Sequence, residues 1–365
     1  MTSSQLISVG LLGYGTSGRF FHAPFLQHLH DKYSLDVIFE RTSSFCKELV
    51  PSVLHVRTLS DLLTSSVEMI IVCTPPEFHY DHALSVIQSG KHCIVEKPFT
   101  VTYTQAISLI NMAEQYGVFL SVYQNRRWDS DYLTLFALLN NEQYSLGQLE
   151  KVEMHFDRYR PVISTSGKWN EQHGHGHGEL YSLGSHLLDQ AIQLFGKPKS
   201  ILQAEVEIQR KGCTSPDYFA ITLEYDNNLT VLLTAGCCVV DPSLKYLVVG
   251  SKGIFEKHGQ DVQERMLRVD GKRPSDDDGN EDTEWGKEPS SQDGWIYDPM
   301  LKTTTSIKTL KGNYGQFYTG VFQGIKNVKE GRHSMDNNSA YVDPKDTAYV
   351  IQMIESINKC MTTQK

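Results

Sequence analysis

Gly13-Tyr14-Gly15-Thr16-Ser17-Gly18 is a G-x-G-x-x-G run placed between two periodic segments of different kinds. The short apolar run from Leu6 to Leu12 before it reads as a strand, and the residues after it, to about Tyr33, read as helix. Alone such a run is a weak signal. Where a strand turns into a helix it is the fingerprint of a dinucleotide site. The glycines allow a tight turn and close approach of backbone to a diphosphate, whose charge then meets the N–H groups of a helix N-terminus. Gly13, Gly15, Thr16, Ser17 and Gly18 are the expected cradle.

The alternation of strand and helix continues to residue 125. Segments 35–39, 67–73, 92–95 and 119–123 read as strands, 80–89 reads as helix, and Ala106, Leu109, Ile110 and Ala113 keep helical spacing. Near-continuous apolar strands between helices give a parallel sheet covered on both faces. Beyond residue 125 the pattern changes. Val152, Met154 and Phe156 alternate with polar residues, and 200–209, 217–225, 229–239 and 244–249 read as strands without helices between them. The fold class predicted is α/β: a doubly wound Rossmann domain over 1–125, then an α+β domain with an open, mostly antiparallel sheet over 126–365. Residues 316–330 read as helix, and Asp343-Pro344 starts a last one. Segment 271–299, rich in Gly, Pro, Ser and acid, is expected to be a mobile loop.

Composition excludes several classes. Of 365 residues 40% are hydrophobic, enough for large cores, so disorder is excluded. No apolar run approaches the ~20 residues of a membrane helix, and no secretory signal is visible. Seven cysteines without framework spacing suit a reducing compartment, so the expected location is the cytoplasm or the nucleus. Of the net charge of −9, residues 276–298 supply nine acids against one base, which leaves the rest of the chain nearly neutral and without a basic field for nucleic acid.

Three strand ends carry candidate groups. Glu40 lies 22 residues beyond Gly18 and can bond a ribose 2′-hydroxyl, which favours NAD; Arg41, followed by Thr42-Ser43-Ser44, can meet a 2′-phosphate, which favours NADP. Both stay open, with the balance slightly toward NADP. Thr74 and Pro75 end the third strand at the carboxyl edge where ligands bind. Glu96-Lys97-Pro98 ends the fourth on the same edge, where a lysine ammonium can orient or polarise a substrate oxygen.

Those motifs, with Gly90-Lys91-His92 and Leu183-Gly184-Ser185-His186-Leu187-Leu188-Asp189 in the same order, resemble the glucose–fructose oxidoreductase/inositol dehydrogenase/MocA family. Phe21-His22-Ala23-Pro24, the run Asn125 to Asp131 and His155 to Arg158 are similar to a subgroup with bacterial NADP-dependent scyllo-inositol dehydrogenases and uncharacterised fungal relatives. The resemblance implies that Lys97 and His186 act on a substrate hydroxyl, that Glu96 belongs to the cofactor site, and that Asn125, Arg126, Trp128, Ser182 and Asp189 line the substrate. It also implies a homodimer or homotetramer. His186, Asp189, Gln190 and Gln193 form one polar stripe at helical spacing, and a histidine in a first helical turn is disfavoured as imidazolium. One departure is Ser182, where family dehydrogenases commonly carry Asp.

His173, His175 and His177 alternate with glycines but lack an accompanying ligand set, so no metal is expected. Arg126, Arg127, Arg158 and Arg160 can meet phosphate or a polyol, or pair with Asp129, Asp131 and Asp157; Trp128 and Trp169 can line a pocket or fill a core. The reaction expected is hydride transfer between a nicotinamide and a carbinol carbon of a small sugar- or polyol-like molecule in the crevice between the domains. The second reading is a non-catalytic dinucleotide sensor of the same fold.

Overall fold

In a computed structural model the described residues are 6–141, 144, 146–164, 171–240, 242–274, 283–332 and 341–363. The first of two units comprises Met1–Asn125, Arg265–Trp285 and Tyr314–Ile351. Its sheet has strands β1 (Ile7–Leu12), β2 (Tyr33–Phe39), β3 (Leu54–Val56), β4 (Met69–Val72), β5 (His92–Val95) and β6 (Leu120–Val122). All pair in parallel, in the order β3-β2-β1-β4-β5-β6. The order reverses between β1 and β4, which places a ligand crevice at their carboxyl ends. β4 has no exposed side chain, because helices cover both sheet faces. The apolar spacing read from sequence puts Ala106, Leu109, Ile110 and Ala113 on the buried face of helix Tyr103–Tyr116. That helix starts with a Thr102/Gln105 capping box and stops at Gly117 in the left-handed region.

The second unit comprises Arg126–Glu264, Gly286–Asn313 and Gln352–Lys365. Strands β7 (Leu149–His155), β8 (Ser200–Glu207), β9 (Tyr218–Glu224), β10 (Thr230–Gly236), β11 (Leu244–Gly250), β12 (Gly253–His258), β13 (Gly294–Asp298) and β14 (Thr303–Ile307) form one sheet. Its order is β14-β13-β12-β11-β7-β10-β9-β8, with β7 and β10 parallel and every other pair antiparallel. Val152, Met154, Phe219, Ile221, Val231 and Leu233 are buried at alternate positions. Helix Ser185–Phe195 contacts β10 and buries Leu187, Leu188 and Ala191. Among the described residues no helix is long and apolar enough to cross a membrane.

The expectation of a loop over 271–299 needs correction at its C-terminal part. Gly294–Asp298 is a strand paired on both sides, and Trp285 and Glu288 are buried. The alternation of Trp295 and Tyr297 with other residues carries that strand through an acid-rich stretch. The most acidic part, 275–282, and Trp169 lie outside the described residues. Strands β3 and β12 and helices Phe45–Leu49 and Leu59–Thr64 are also additions to the sequence reading.

Trp285 packs edge-on against Phe25 with ring centroids 6.2 Å apart. Replacing a buried tryptophan by alanine removes its contacts and opens a cavity, so Trp285→Ala is expected to cost about 3–5 kcal/mol in urea unfolding. A loss below ~1 kcal/mol would show the segment to be the loose loop that its composition suggests.

Candidate active site

The glycine turn sits at the carboxyl end of β1, beside β4. Gly13 has φ +109°, and a Cβ on it would lie 3.1 Å from the Cys73 carbonyl oxygen. A Cβ on Gly18 would stand 2.6 Å from the Gly13 carbonyl oxygen. At Gly15 a Cβ would meet nothing within 4 Å. The turn is therefore closed toward the protein and open at its middle glycine, the shape a diphosphate needs. The residues present fit a dinucleotide.

Ser17, four residues after Gly13, turns its hydroxyl onto Glu96 Oε1. Glu96 follows β5 and is buried. Its Oε1 also accepts from His22 Nε2 at 2.9 Å, and its Oε2 accepts from the Lys97 backbone N–H at 3.0 Å. Burial pushes the carboxyl up, but the hydrogen bond and charge of His22, the Ser17 hydroxyl and the Lys97 charge together hold it below its ordinary value. Glu96 thus ties the diphosphate turn to the loop that carries Lys97. The two edge loops are joined again by His79, whose ring nitrogens lie 2.8 Å from the Thr74 carbonyl and 2.7 Å from the Pro98 carbonyl. Burial pushes the His79 pKa down, so the neutral ring donates to one of the two carbonyls at a time. Thr74 Oγ1 lies 3.0 Å from His82 Nδ1.

At the end of β2 the carboxylate of Glu40 turns inward. It accepts from the Ser43 hydroxyl at 2.6 Å and from the Cys46 backbone N–H at 2.9 Å. Burial acts to raise its pKa, and those hydrogen bonds bring it below its ordinary value. Arg57 closes the loop by donating to the Glu40 carbonyl at 2.9 Å and to Ser44 Oγ at 2.7 Å. Arg41 is left exposed. Glu40, Cys46 and His55 bring ligand-type atoms within 4.8 Å of one another. Burial and the Glu40 carboxylate push the Cys46 thiol up to about 12, so it stays protonated beside Glu40, while His55 Nε2 stands 3.7 Å from Glu40 Oε2.

In the second unit Ser182, His186 and Asp189 are all buried, on helix Ser185–Phe195 and the wider turn Leu180–Gly184 before it. Gly184 already has helical φ and ψ, −62° and −34°. His186 therefore lies beyond the first helical turn. The helix dipole fades within one turn, so the first-turn position read from the sequence does not apply to this ring. Arg127 grips Asp189 with two hydrogen bonds of 2.8 and 2.7 Å. Arg126 lies 3.4 Å from Asp129 and 2.5 Å from Glu264, with its guanidinium 4.9 Å from the centre of the Phe156 ring. Gln190 donates to the Arg126 carbonyl at 2.8 Å, which anchors the Asn125–Trp128 turn. His173 and His175 are exposed, while His177 Nδ1 lies 3.0 Å from the Gln172 carbonyl. His22 and Tyr318 are the site residues that the sequence reading left without a role.

The profile for the oxidoreductase family NAD-binding Rossmann fold matches residues 7–124, and that for its C-terminal alpha/beta domain matches 141–365. The chain belongs to the Gfo/Idh/MocA oxidoreductase family. It is 36% identical over 323 residues to the NADP(+)-dependent scyllo-inositol 2-dehydrogenase IolW of Bacillus subtilis, covering 88% of this chain and 86% of that one. An uncharacterised oxidoreductase of Schizosaccharomyces pombe is 35% identical over 337 residues, covering 87% and 89%. The solved structure of the oxidoreductase yvaA from Bacillus subtilis superposes with a TM-score of 0.87 at 33% identity, over 99% of this chain and 98% of that one. The cofactor class, NAD(P), and the α/β architecture follow from this membership and the fold.

Because nothing stands near a Cβ at Gly15, Gly15→Ala is expected to leave the unfolding midpoint unchanged while weakening NADPH binding by about tenfold or more, read by fluorescence titration. Unchanged affinity would place the diphosphate elsewhere.

Proposed function

We propose that this NAD(P)-binding oxidoreductase is a dehydrogenase or reductase acting on a secondary alcohol or carbonyl of a sugar, polyol or related small molecule. The observation that carries the reading is Glu96, which couples the glycine turn to the backbone of Lys97 on one sheet edge. The nicotinamide, when bound, accepts or supplies the hydride. Lys97 donates a hydrogen bond to the reacting oxygen and stabilises its negative charge as the O–H bond breaks. His186 takes the hydroxyl proton during oxidation, as the carbon loses hydride and the carbonyl forms; reduction runs the same transfers backward. Asn125, Arg126, Trp128, Ser182 and Asp189 line the substrate in this reading. Ser182 supplies a hydroxyl and no charge, so His186 gains less help as imidazolium than an Asp there would give.

NADP is the cofactor we favour. The Glu40 carboxylate is engaged within its own loop, which removes a repulsive charge from the place where a 2′-phosphate would meet exposed Arg41. The NADP(+) dependence of IolW supports the same choice. We also propose a homodimer or homotetramer in the cytoplasm or nucleus, with apolar side chains such as Leu202 on edge strand β8, 55% exposed, covered by the second copy. All seven cysteines are free, in keeping with a reducing compartment.

A non-catalytic dinucleotide sensor is the second reading, favoured by Ser182 alone. A screen of polyols and aldoses with both cofactors decides between them. Lys97→Ala is expected to lower kcat/KM by about a hundredfold or more while NADPH still binds. Equal rates in Lys97→Ala and wild type would remove Lys97 from the chemistry, and no turnover of any substrate would leave the sensor. Arg41→Ala is expected to raise KM for NADPH about tenfold and to leave that for NADH unchanged. A constant ratio would refute the phosphate role.

A further inference from the structure

We propose that His22, backed by Tyr318, is a positioning residue for the cofactor site: it holds the Glu96 carboxylate in the one orientation that fixes both the Ser17 hydroxyl and the Lys97 backbone. The Lys97 half rests on the reading just given; the Ser17 half rests only on cofactor binding.

His22 ends the turn Gly18–His22 that leaves the glycine loop, and no part of it is exposed. Its two ring nitrogens face two different partners, Glu96 Oε1 at 2.9 Å and the Tyr318 hydroxyl at 2.5 Å. An ionised carboxylate only accepts, so Nε2 carries the proton. Nδ1 shares its hydrogen bond with the Tyr318 hydroxyl, a group that can donate or accept. Nε2–H therefore points at Glu96, and Nδ1 is held at the Tyr318 hydroxyl.

Tyr318 is itself held. Its ring stacks on Phe25 at 6.1 Å and meets Tyr33 and Phe317 edge-on at 5.9 and 5.3 Å, while Tyr33 donates to its backbone carbonyl at 2.6 Å. The His22 ring also lies against Tyr123 at 4.4 Å. Neither ring has room to turn, because the interior is close-packed. Glu96 therefore receives a donor that cannot leave, and its two oxygens are divided: Oε1 to His22 and Ser17, Oε2 to the Lys97 N–H. A buried carboxylate that lost this donor would rotate to find another, and the Ser17 hydroxyl and the Lys97 backbone would move with it.

The test uses the full chain. The ring nitrogens of His22 are assigned by 15N NMR in wild-type protein, and NADPH affinity is titrated by intrinsic fluorescence for His22→Leu, His22→Gln, Ser17→Ala and the Ser17→Ala/His22→Leu pair. The Nε2–H tautomer is expected. His22→Leu should weaken NADPH binding about tenfold, His22→Gln, whose amide N–H reaches the place of Nε2–H, should bring it back to within about threefold, and the pair should lose no more than the worse single variant, since both act through Glu96. An Nδ1–H tautomer, unchanged affinity in His22→Leu, a glutamine variant as weak as the leucine one, or additive losses would each overturn the proposal. Should His22→Leu fail to fold, the wild-type tautomer and the comparison of His22→Gln with wild type still decide it. If affinities shift as stated but no substrate turns over in wild-type protein, the reading of Lys97 falls and the role of His22 in cofactor binding stands.

Discussion

At two positions, Gly13 and Gly18, no side chain fits where the chain leaves β1 and doubles back beside β4. Gly13 is pressed against the Cys73 carbonyl and Gly18 against Gly13 itself. That contact forces the tight turn, and the tight turn sets where everything after it begins. Ser17 comes to the edge of β5 because β4 and β5 are the next strands out from β1. Glu96 and Lys97 emerge on that edge because every strand of the sheet runs the same way. A parallel sheet delivers its loops to one side, so residues from distant stretches of sequence meet without a dedicated scaffold.

The second unit solves a different problem, that of charge in a core. Asp129, Asp131, Asp261 and Glu288 are buried with Arg126, Lys245 and Lys257 among them. Lys257 and Glu288 meet at 2.7 Å, and Asp261 accepts from the Ser130 N–H and hydroxyl at 2.8 and 2.9 Å. Burial pushes Asp261 up, as does the charge of Asp131, and burial with Asp131 brings Glu288 to about 7 against the pull of Lys257. Such a network is costly to assemble and specific once assembled, since each member is placed by several others. Gln263, which donates to Asp261 at 3.0 Å and to the Trp128 carbonyl at 3.1 Å, ties the segment that carries Trp128 to this network.

Much of this is legible in the amino-acid order. A strand, a glycine turn and a helix can be read from local periodicity, and the succession of apolar runs by itself puts Thr74 and Glu96 on one edge. What escapes is set by distance or by neighbours. Leu54–Val56 is only three residues long, with a single buried side chain, too short for a period to show. β13 lies in a stretch whose acids and glycines outweigh two aromatic residues. The inward turn of Glu40 depends on Ser43 and Cys46, and the contact of His22 with Tyr318 spans 296 positions. The histidine of Phe21-His22-Ala23-Pro24 is visible as a motif, and nothing local can name its partner.

The first unit is not a continuous piece of chain, and this bears on how it is made. Phe25 and Tyr33 belong to its first helix and second strand, yet they pack on Trp285, Tyr314, Tyr318 and Phe322. On the ribosome, residues up to Asn125 emerge with this aromatic patch bare. Adding the roughly 190 residues that reach Tyr314 takes on the order of ten to forty seconds at ~5–20 residues per second. For that interval the nascent nucleotide domain lacks its own C-terminal helix, and its hydrophobic flank stays accessible to chaperones and to other unfinished chains.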